Sequence, residues 1–150
     1  KGISLRSTKG IKITVGYDDL NAVSLAGSGD ISNNGTIKSN ELKLSIAGSG
    51  DINVNVSTKK LVASIAGSGD IEVQGDTEEL KCSIAGSGNF SGFALDAKTA
   101  SASIAGSGDV EVNAADKIKA QIAGSGNVYY KGNPEKDIKK AGSGGAVKKN

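Results

Sequence analysis

Residues 45–52 read Ser-Ile-Ala-Gly-Ser-Gly-Asp-Ile, and close copies of this octapeptide return at 64–71, 83–90 and 103–110. The inner tetrapeptide Ala-Gly-Ser-Gly recurs more widely, and its copies begin at Ala26, Ala47, Ala66, Ala85, Ala105, Ala123 and Ala141. The steps between successive copies are 21, 19, 19, 20, 18 and 18 residues. A repeat of this length is typical of solenoids, in which each repeat forms one coil and packs only on its neighbours.

Apolar residues flank the tetrapeptide at fixed positions. One precedes each of the first six copies: Leu25, Ile46, Ile65, Ile84, Ile104 and Ile122. Another follows two places after the second glycine: Ile31, Ile52, Ile71, Phe90, Val110 and Val128. Further out, apolar and polar residues alternate, which is the period of a β-strand with one buried face. The two columns are therefore expected to belong to one core.

The repeat predicts an all-β fold, a right-handed parallel β-helix (solenoid) of about eight coils of roughly 20 residues. A coil of this length holds two or three short strands, and parallel crossover connections are right-handed in almost all proteins. The segment from Leu5 to Ile11 keeps both apolar positions and is expected to form a degenerate first coil. The last copy has Lys140 in the first core column, which fits a polar terminal coil. An antiparallel sandwich is the competing fold, but it would not require the same corner seven times.

The corner itself is expected to be structural. Glycine reaches the backbone angles of a sharp bend at low cost, alanine is small enough for the inside of that bend, and Asp or Asn side chains bond nearby turn amides. The predicted structural corner repeat comprises Gly27, Ser28, Gly29, Asp30, Gly48, Ser49, Gly50, Asp51, Gly67, Ser68, Gly69, Asp70, Gly86, Ser87, Gly88, Asn89, Gly106, Ser107, Gly108, Asp109, Gly124, Ser125, Gly126 and Asn127. The stacked carboxylates raise the alternative of Ca²⁺ binding, but Asn at two of six positions favours hydrogen bonding. No metal site is predicted.

Residues for catalysis are scarce. The chain has no His, which excludes His-based triads and most zinc sites. Its one cysteine, Cys82, falls at an inward position, where a thiol behaves as a small hydrophobe. Carboxylates that could pair for glycoside hydrolysis are Asp70 with Glu72, Asp109 with Glu111, and Asp76 with Glu78 and Glu79. Exposed strand and turn positions account for them more simply, so no catalytic residue and no cofactor site is predicted.

The recurrent Ser-Ile-Ala-Gly-Ser-Gly-Asp/Asn that begins at Ser45, Ser64, Ser83 and Ser103 resembles the GIN-domain family of putative autotransporter adhesins of the Bacteroidetes type, a domain of unknown function. The resemblance covers about residues 20–145. It implies a β-helix related in shape to pectin lyases and an exported protein located in the periplasm, on the outer-membrane surface or outside the cell.

These observations favour a non-catalytic cell-envelope or surface adhesion module, with a carbohydrate-active β-helix enzyme (polysaccharide lyase or hydrolase) as the alternative. The expected partner is an unknown protein or glycan at the cell surface, and solenoid ends or faces offer routes to a homo-oligomer. Nucleic acid is not expected, because 18 basic and 16 acidic residues interleave to a net charge of +2. Residues 1–150 are expected to form a single domain. The start at Lys1, without Met or an apolar leader, fits a processed exported protein or a trimmed chain, and the domain is expected to be incomplete at its N-terminal end.

Overall fold

The computed structural model describes residues 2–6, 11–13 and 22–149, and it is built from strands and turns. The strands are β1 Gly2–Arg6, β2 Ile11–Ile13, β3 Ala22–Gly27, β4 Ile31–Gly48, β5 Ile52–Gly67, β6 Ile71–Gly86, β7 Phe90–Gly106, β8 Val110–Gly124, β9 Val128–Lys131, β10 Glu135–Ala141 and β11 Ala146–Lys148. Within the residues that the structure describes, no helix is long and apolar enough to cross a membrane.

The long strands β4 to β8 each run from one Gly-Ser-Gly-Asp/Asn corner to the next. Neighbouring strands pair in parallel, so that Ile46 lies beside Ile65, and Ile65 lies beside Ile84 one coil further on. All pairings join into one sheet that winds along the chain in sequence order. The fold is a parallel β-solenoid of about seven turns, which confirms the predicted architecture and comes close to the eight coils expected.

The described strands of the first and last coils are shorter than the central strands. Leu5 pairs with Leu25 and Ile11 with Ile31, as the degenerate first coil requires, while residues 7–10 lie outside the described residues. At the other end Lys140 pairs with Ile122 and is exposed, which confirms a polar terminal coil.

The core consists of stacked columns of buried side chains. Every member of the two predicted apolar columns from residue 25 onward is buried. The residues two places before the first column, such as Ala63 and Cys82, are also buried, as are those two places after the second column from Val54 onward. Two hydroxyl side chains join this core: Thr58 donates to Thr77 at 3.0 Å, and Thr77 donates to the backbone oxygen of Glu79 at 3.1 Å. The buried side-chain polar atoms of the described residues therefore have hydrogen-bond partners.

The alanine of the corner does not lie on the inside of the bend as expected. Ala47, Ala66, Ala85, Ala105 and Ala123 are all exposed. The strand alternation continues through the alanine, so the residue after each buried isoleucine faces outward. The space inside the bend is taken instead by the second glycine of each corner, which is buried.

A second turn lies about midway in sequence between two successive corners. It comprises Ser57–Lys60 in one coil, 76–79 in the next and 96–99 in the one after, where the inward alternation skips a residue. The register shifts of the described sheet fall between the corner and the end of this second turn, for example between Gly92 and Asp96 and between Ala97 and Thr99. The repeat length therefore varies here, while the corners stay in register.

Candidate functional site

The first glycine of each corner has a backbone that only glycine adopts without strain. Its φ lies between 112° and 144° in all seven copies. A Cβ atom at Gly67 would also overlap the carbonyl oxygen of Gly48 in the preceding coil. That carbonyl oxygen accepts the backbone N–H groups of Ser68 and Gly69 at 3.0 and 3.2 Å. The corner is thus held by backbone groups that approach each other too closely for a side chain.

The second glycine is required for a different reason. No positive φ is needed there, but a Cβ atom at Gly88 would overlap the carbonyl oxygen of Gly69 and lie 2.7 Å from the Ile65 methyl carbon Cγ2. The same overlap recurs in every coil from Gly50 to Gly144. This steric reason was not part of the sequence interpretation, which ascribed both glycines to bend angles.

The Asp/Asn column forms a hydrogen-bonded ladder that links the coils. The side-chain oxygen of Asp70 accepts the backbone N–H of Asn89 at 2.8 Å, and that of Asn89 accepts the N–H of Asp109 at 2.9 Å. The pattern continues from Asp109 to Asn127 at 2.7 Å. Either Asp or Asn can occupy each position of the column, because only an acceptor oxygen is needed. The side chains therefore bond amides 18–21 residues ahead rather than amides of their own turn.

The serines of the corner face outward. They are exposed from Ser28 to Ser143, and at the end of the column Ser143 donates to Ser125 at 3.2 Å. The corner residues thus form a regular polar edge along the solenoid.

Cys82 lies in the core between neighbouring coils, beside Ala63 and Ala102. Burial raises the pKa of its thiol, because the low-dielectric interior disfavours the thiolate. The side chain is therefore protonated at neutral pH and acts as an apolar core residue.

The second turns form a polar groove that runs along the solenoid axis, here called the axial groove. One depression of about 420 Å³ is lined by charged and hydroxyl-bearing residues of three coils, among them Lys38, Lys59, Asp76 and Glu78. A second depression of about 360 Å³ shares Asp76 and Glu78 and continues to Asp96 and Lys98. The two together span five successive coils, of which the fifth contributes Ala115.

Hydrogen bonds fix the carboxylates of the axial groove. Ser57 donates to Asp76 Oδ2 at 3.2 Å, and the side-chain amide of Asn113 donates to Asp96 Oδ1 at 2.7 Å. Asp76 and Asp96 pair across neighbouring coils, and the exposed residues beside them change sign from Lys59 to Glu78 to Lys98. The groove therefore offers hydrogen-bonded acceptors and exposed cations to a ligand lying along the axis.

Sequence reasoning named some groove residues but not the groove. Of the carboxylates considered for hydrolysis, the structure brings Asp76 and Glu78 to the same depression as Asp96, which the sequence interpretation did not include. Asp70 belongs to the corner ladder, and Glu72 and Glu111 lie on the strand segments after the corner. The lysines and the asparagine that line the groove gave no signal, because their grouping depends on how the coils bend: Lys38, Lys59, Lys98 and Asn40.

Lysines cover the aromatic rings of the last coils. The Lys131 Nζ lies 4.5 Å from the centre of the Phe93 ring, and the Lys149 Nζ lies 4.9 Å from that of Tyr129. Cations over aromatic faces are held electrostatically. Phe93 and Lys131 lie on β7 and β9, so the stacking of the coils brings them together.

Comparison with protein families gives one match, to the family described as "Putative auto-transporter adhesin, head GIN domain", over residues 3–134. Among curated proteins, none matches the chain.

Several solved structures share the fold. A "putative lipid binding protein" from Parabacteroides distasonis is 33% identical, with a TM-score of 0.95 over 100% of this chain and 62% of its own. A "putative adhesin" from Bacteroides fragilis is 30% identical, with a TM-score of 0.83 over 87% of this chain and 61% of its own. A "putative adhesin" from Parabacteroides merdae is 25% identical, with a TM-score of 0.94 over 100% of this chain and 64% of its own. The chain spans less than two thirds of the length of these proteins.

Proposed function

This chain belongs to the auto-transporter adhesin family with a head GIN domain, and we propose that it is a non-catalytic binding module of the cell envelope or cell surface. We further propose that it is exported and that its ligand is a protein or glycan lying along the axial groove. The descriptions of its relatives, adhesins and a lipid binding protein, name binding rather than turnover.

The axial groove is the observation that carries this proposal. It is open, it crosses five successive coils, and it presents side-chain donors and acceptors at four of them. Neighbouring coils are spaced ~4.8 Å apart, so equivalent groups repeat at a short interval along the axis. An extended polymer can contact such a series at several points, and each contact adds to the affinity.

The lining of the groove also favours recognition over chemistry. Asp76 and Asp96 already accept hydrogen bonds from Ser57 and Asn113, which hold both carboxylates in the acceptor role. The groove is shallow and open, whereas catalytic carboxylates generally lie in sites that exclude water.

Binding to a glycan array and to isolated bacterial envelopes tests the proposal. The triple variant Lys59→Ala, Glu78→Ala and Lys98→Ala removes two cations and one carboxylate from the axial groove. The matched control, Glu72→Ala, Lys81→Ala and Lys119→Ala, removes the same charges from exposed strand positions. We expect the groove variant to lose at least about tenfold in affinity and the control to bind normally.

Two results would refute this function. One is equal loss of binding in both triple variants, which would make the groove irrelevant. The other is product formation from an acidic polysaccharide that stops with Asp76→Asn or Asp96→Asn, which would support the lyase or hydrolase alternative.

A further inference from the structure

The charges of the chain are divided along the solenoid. Residues 117–149 carry eight lysines against Glu135 and Asp137, a net charge of +6. Residues 22–116 carry six lysines against twelve carboxylates, a net charge of −6. The overall charge of +2 conceals this division, because the two parts cancel and residues 1–21 contribute the remainder. Stacking of the coils turns the division into a basic end and an acidic body.

The lysines of the basic end surround the last coil. Lys136, Lys140 and Lys148 pair with Ile118, Ile122 and Tyr130, so they occupy positions that face the core in the central coils. All three are exposed. Long lysine stems can cover apolar side chains while the ammonium groups stay in water. These lysines therefore place positive charge beside the core side chains of the preceding coil.

Apolar side chains lie among these charges. Ile138 and Val147 are 37% and 44% exposed, and they are the exposed large hydrophobic residues among the side chains that the structure describes. Val147 pairs with Tyr129, over whose ring Lys149 lies. We call this group the terminal basic surface: Lys131, Lys136, Lys139, Lys140, Lys148, Lys149, Tyr129, Ile138 and Val147.

We propose that the terminal basic surface docks onto the anionic headgroups of a lipid bilayer. The lysines meet the negative surface potential, and the aliphatic and tyrosine side chains enter the boundary between headgroups and acyl chains. Lys139 and Lys140 border an open depression of about 310 Å³. Lys136 and Lys148 lie at core-facing positions of the last coils, so the lysines extend over a surface rather than line an enclosed site. A nucleic acid or another acidic polymer would leave Ile138 and Val147 without an apolar partner.

Vesicle co-sedimentation tests this docking. The probes are vesicles of phosphatidylcholine alone and vesicles of phosphatidylcholine mixed with an equal amount of phosphatidylglycerol. The chain should bind the mixed vesicles, release them at high salt as the charges are screened, and leave the neutral vesicles unbound.

Charge-reversal variants locate the contact. Lys131→Glu, Lys139→Glu and Lys149→Glu together should weaken binding at least on the order of 100-fold, at ~1 kcal/mol per lysine. The control Lys43→Glu, Lys60→Glu and Lys81→Glu changes the net charge equally but lies in the acidic body, and we expect it to bind within about threefold of the unchanged chain. Val147→Asn, which keeps all charges, should weaken binding severalfold. Circular dichroism verifies that each variant is folded.

Equal loss in both charge variants would overturn the proposal, because net charge alone would then account for binding. Binding to neutral vesicles, or to neither kind, would also overturn it. Salt-sensitive self-association that the terminal variant abolishes, without vesicle binding, would instead assign this surface to contact with the acidic body of a second copy.

Discussion

At the Gly-Ser-Gly-Asx corner the register between neighbouring coils is constant. Between the corner and the second turn, and in one coil within that turn at Ala97 to Thr99, residues are gained or lost from one coil to the next. The corner is built from backbone atoms in close approach, so any added atom meets a carbonyl of the preceding coil. The second turn is built from side chains that face solvent, such as Lys59, Glu78 and Lys98. The corner thus preserves the stack, and the second turn is free to vary in chemistry.

This difference explains why the candidate binding groove and the sequence repeat lie apart. A repeat is visible where the backbone permits only a few residue types. A binding surface needs varied side chains. The second turn has Ser or Asp at one set of paired positions and Lys, Glu or Thr at another, without disturbing the core. Function is often placed on the variable segments of a rigid scaffold.

The largest effect should come from filling the corner. Gly88→Ala places a methyl group against the Gly69 carbonyl oxygen and the Ile65 side chain, neither of which can withdraw without moving the stack. We expect a loss of at least ~3 kcal/mol in the free energy of unfolding. Gly145→Ala is the control, because nothing lies within 4 Å of its added Cβ, and we expect a change within ~0.5 kcal/mol. Urea unfolding followed by circular dichroism measures both, and equal losses would contradict the steric account.

A smaller effect should come from the ladder. Asp109→Ala removes the acceptor of the Asn127 N–H, a partly buried bond of 2.7 Å, and should cost ~1–2 kcal/mol. Asp109→Asn keeps an acceptor oxygen and should lie within ~0.5 kcal/mol of the unchanged chain. Its neighbours in the column are Asn89 and Asn127, so relief of charge repulsion does not complicate the result. An Asn variant as unstable as the Ala variant would show that the charge matters rather than the hydrogen bond.

Removing divalent cations should have no effect on the corner. The oxygens of Asp51 and Asp70 accept backbone N–H groups of the following coil, so hydrogen bonds rather than bound cations tie the column together. We expect the melting temperature to be the same with and without EDTA. A melting temperature that falls in EDTA and recovers with Ca²⁺ would show that the corner is held by a bound metal ion rather than by the hydrogen-bonded ladder.

The sequence predicted what depends on period and alternation. The columns through Ile65 and Ile84, the polar last coil at Lys140 and the burial of Cys82 all follow from counting residues, and the structure confirms them. The outward alanine was missed because the bend was treated as a local turn, although the strand alternation continues into it. The ladder was expected as local capping, because a sequence does not reveal how close an amide of the next coil lies.

The axial groove and the terminal basic surface could not be predicted from the sequence for another reason. Asp76, Asp96 and Lys98 come together only when the position of the second turn in each coil is known, and register shifts make that position irregular. The excess of lysine after residue 117 is visible in the sequence, but its grouping around one coil end depends on the stack.

The most direct test of the contrast between the two turns is a single glycine insertion placed in each. The coil after Lys98 already carries one extra residue at its second turn, since Ala97 pairs with Ala114 while Thr99 pairs with Lys117. Inserting glycine after Lys98 should therefore change the free energy of unfolding by less than ~1 kcal/mol. The same insertion after Ser87 separates stacked glycines and should abolish the cooperative unfolding transition, with Cys82 becoming reactive toward thiol reagents in native buffer. Equal losses of stability at the two sites would contradict the division between a fixed corner and a variable turn.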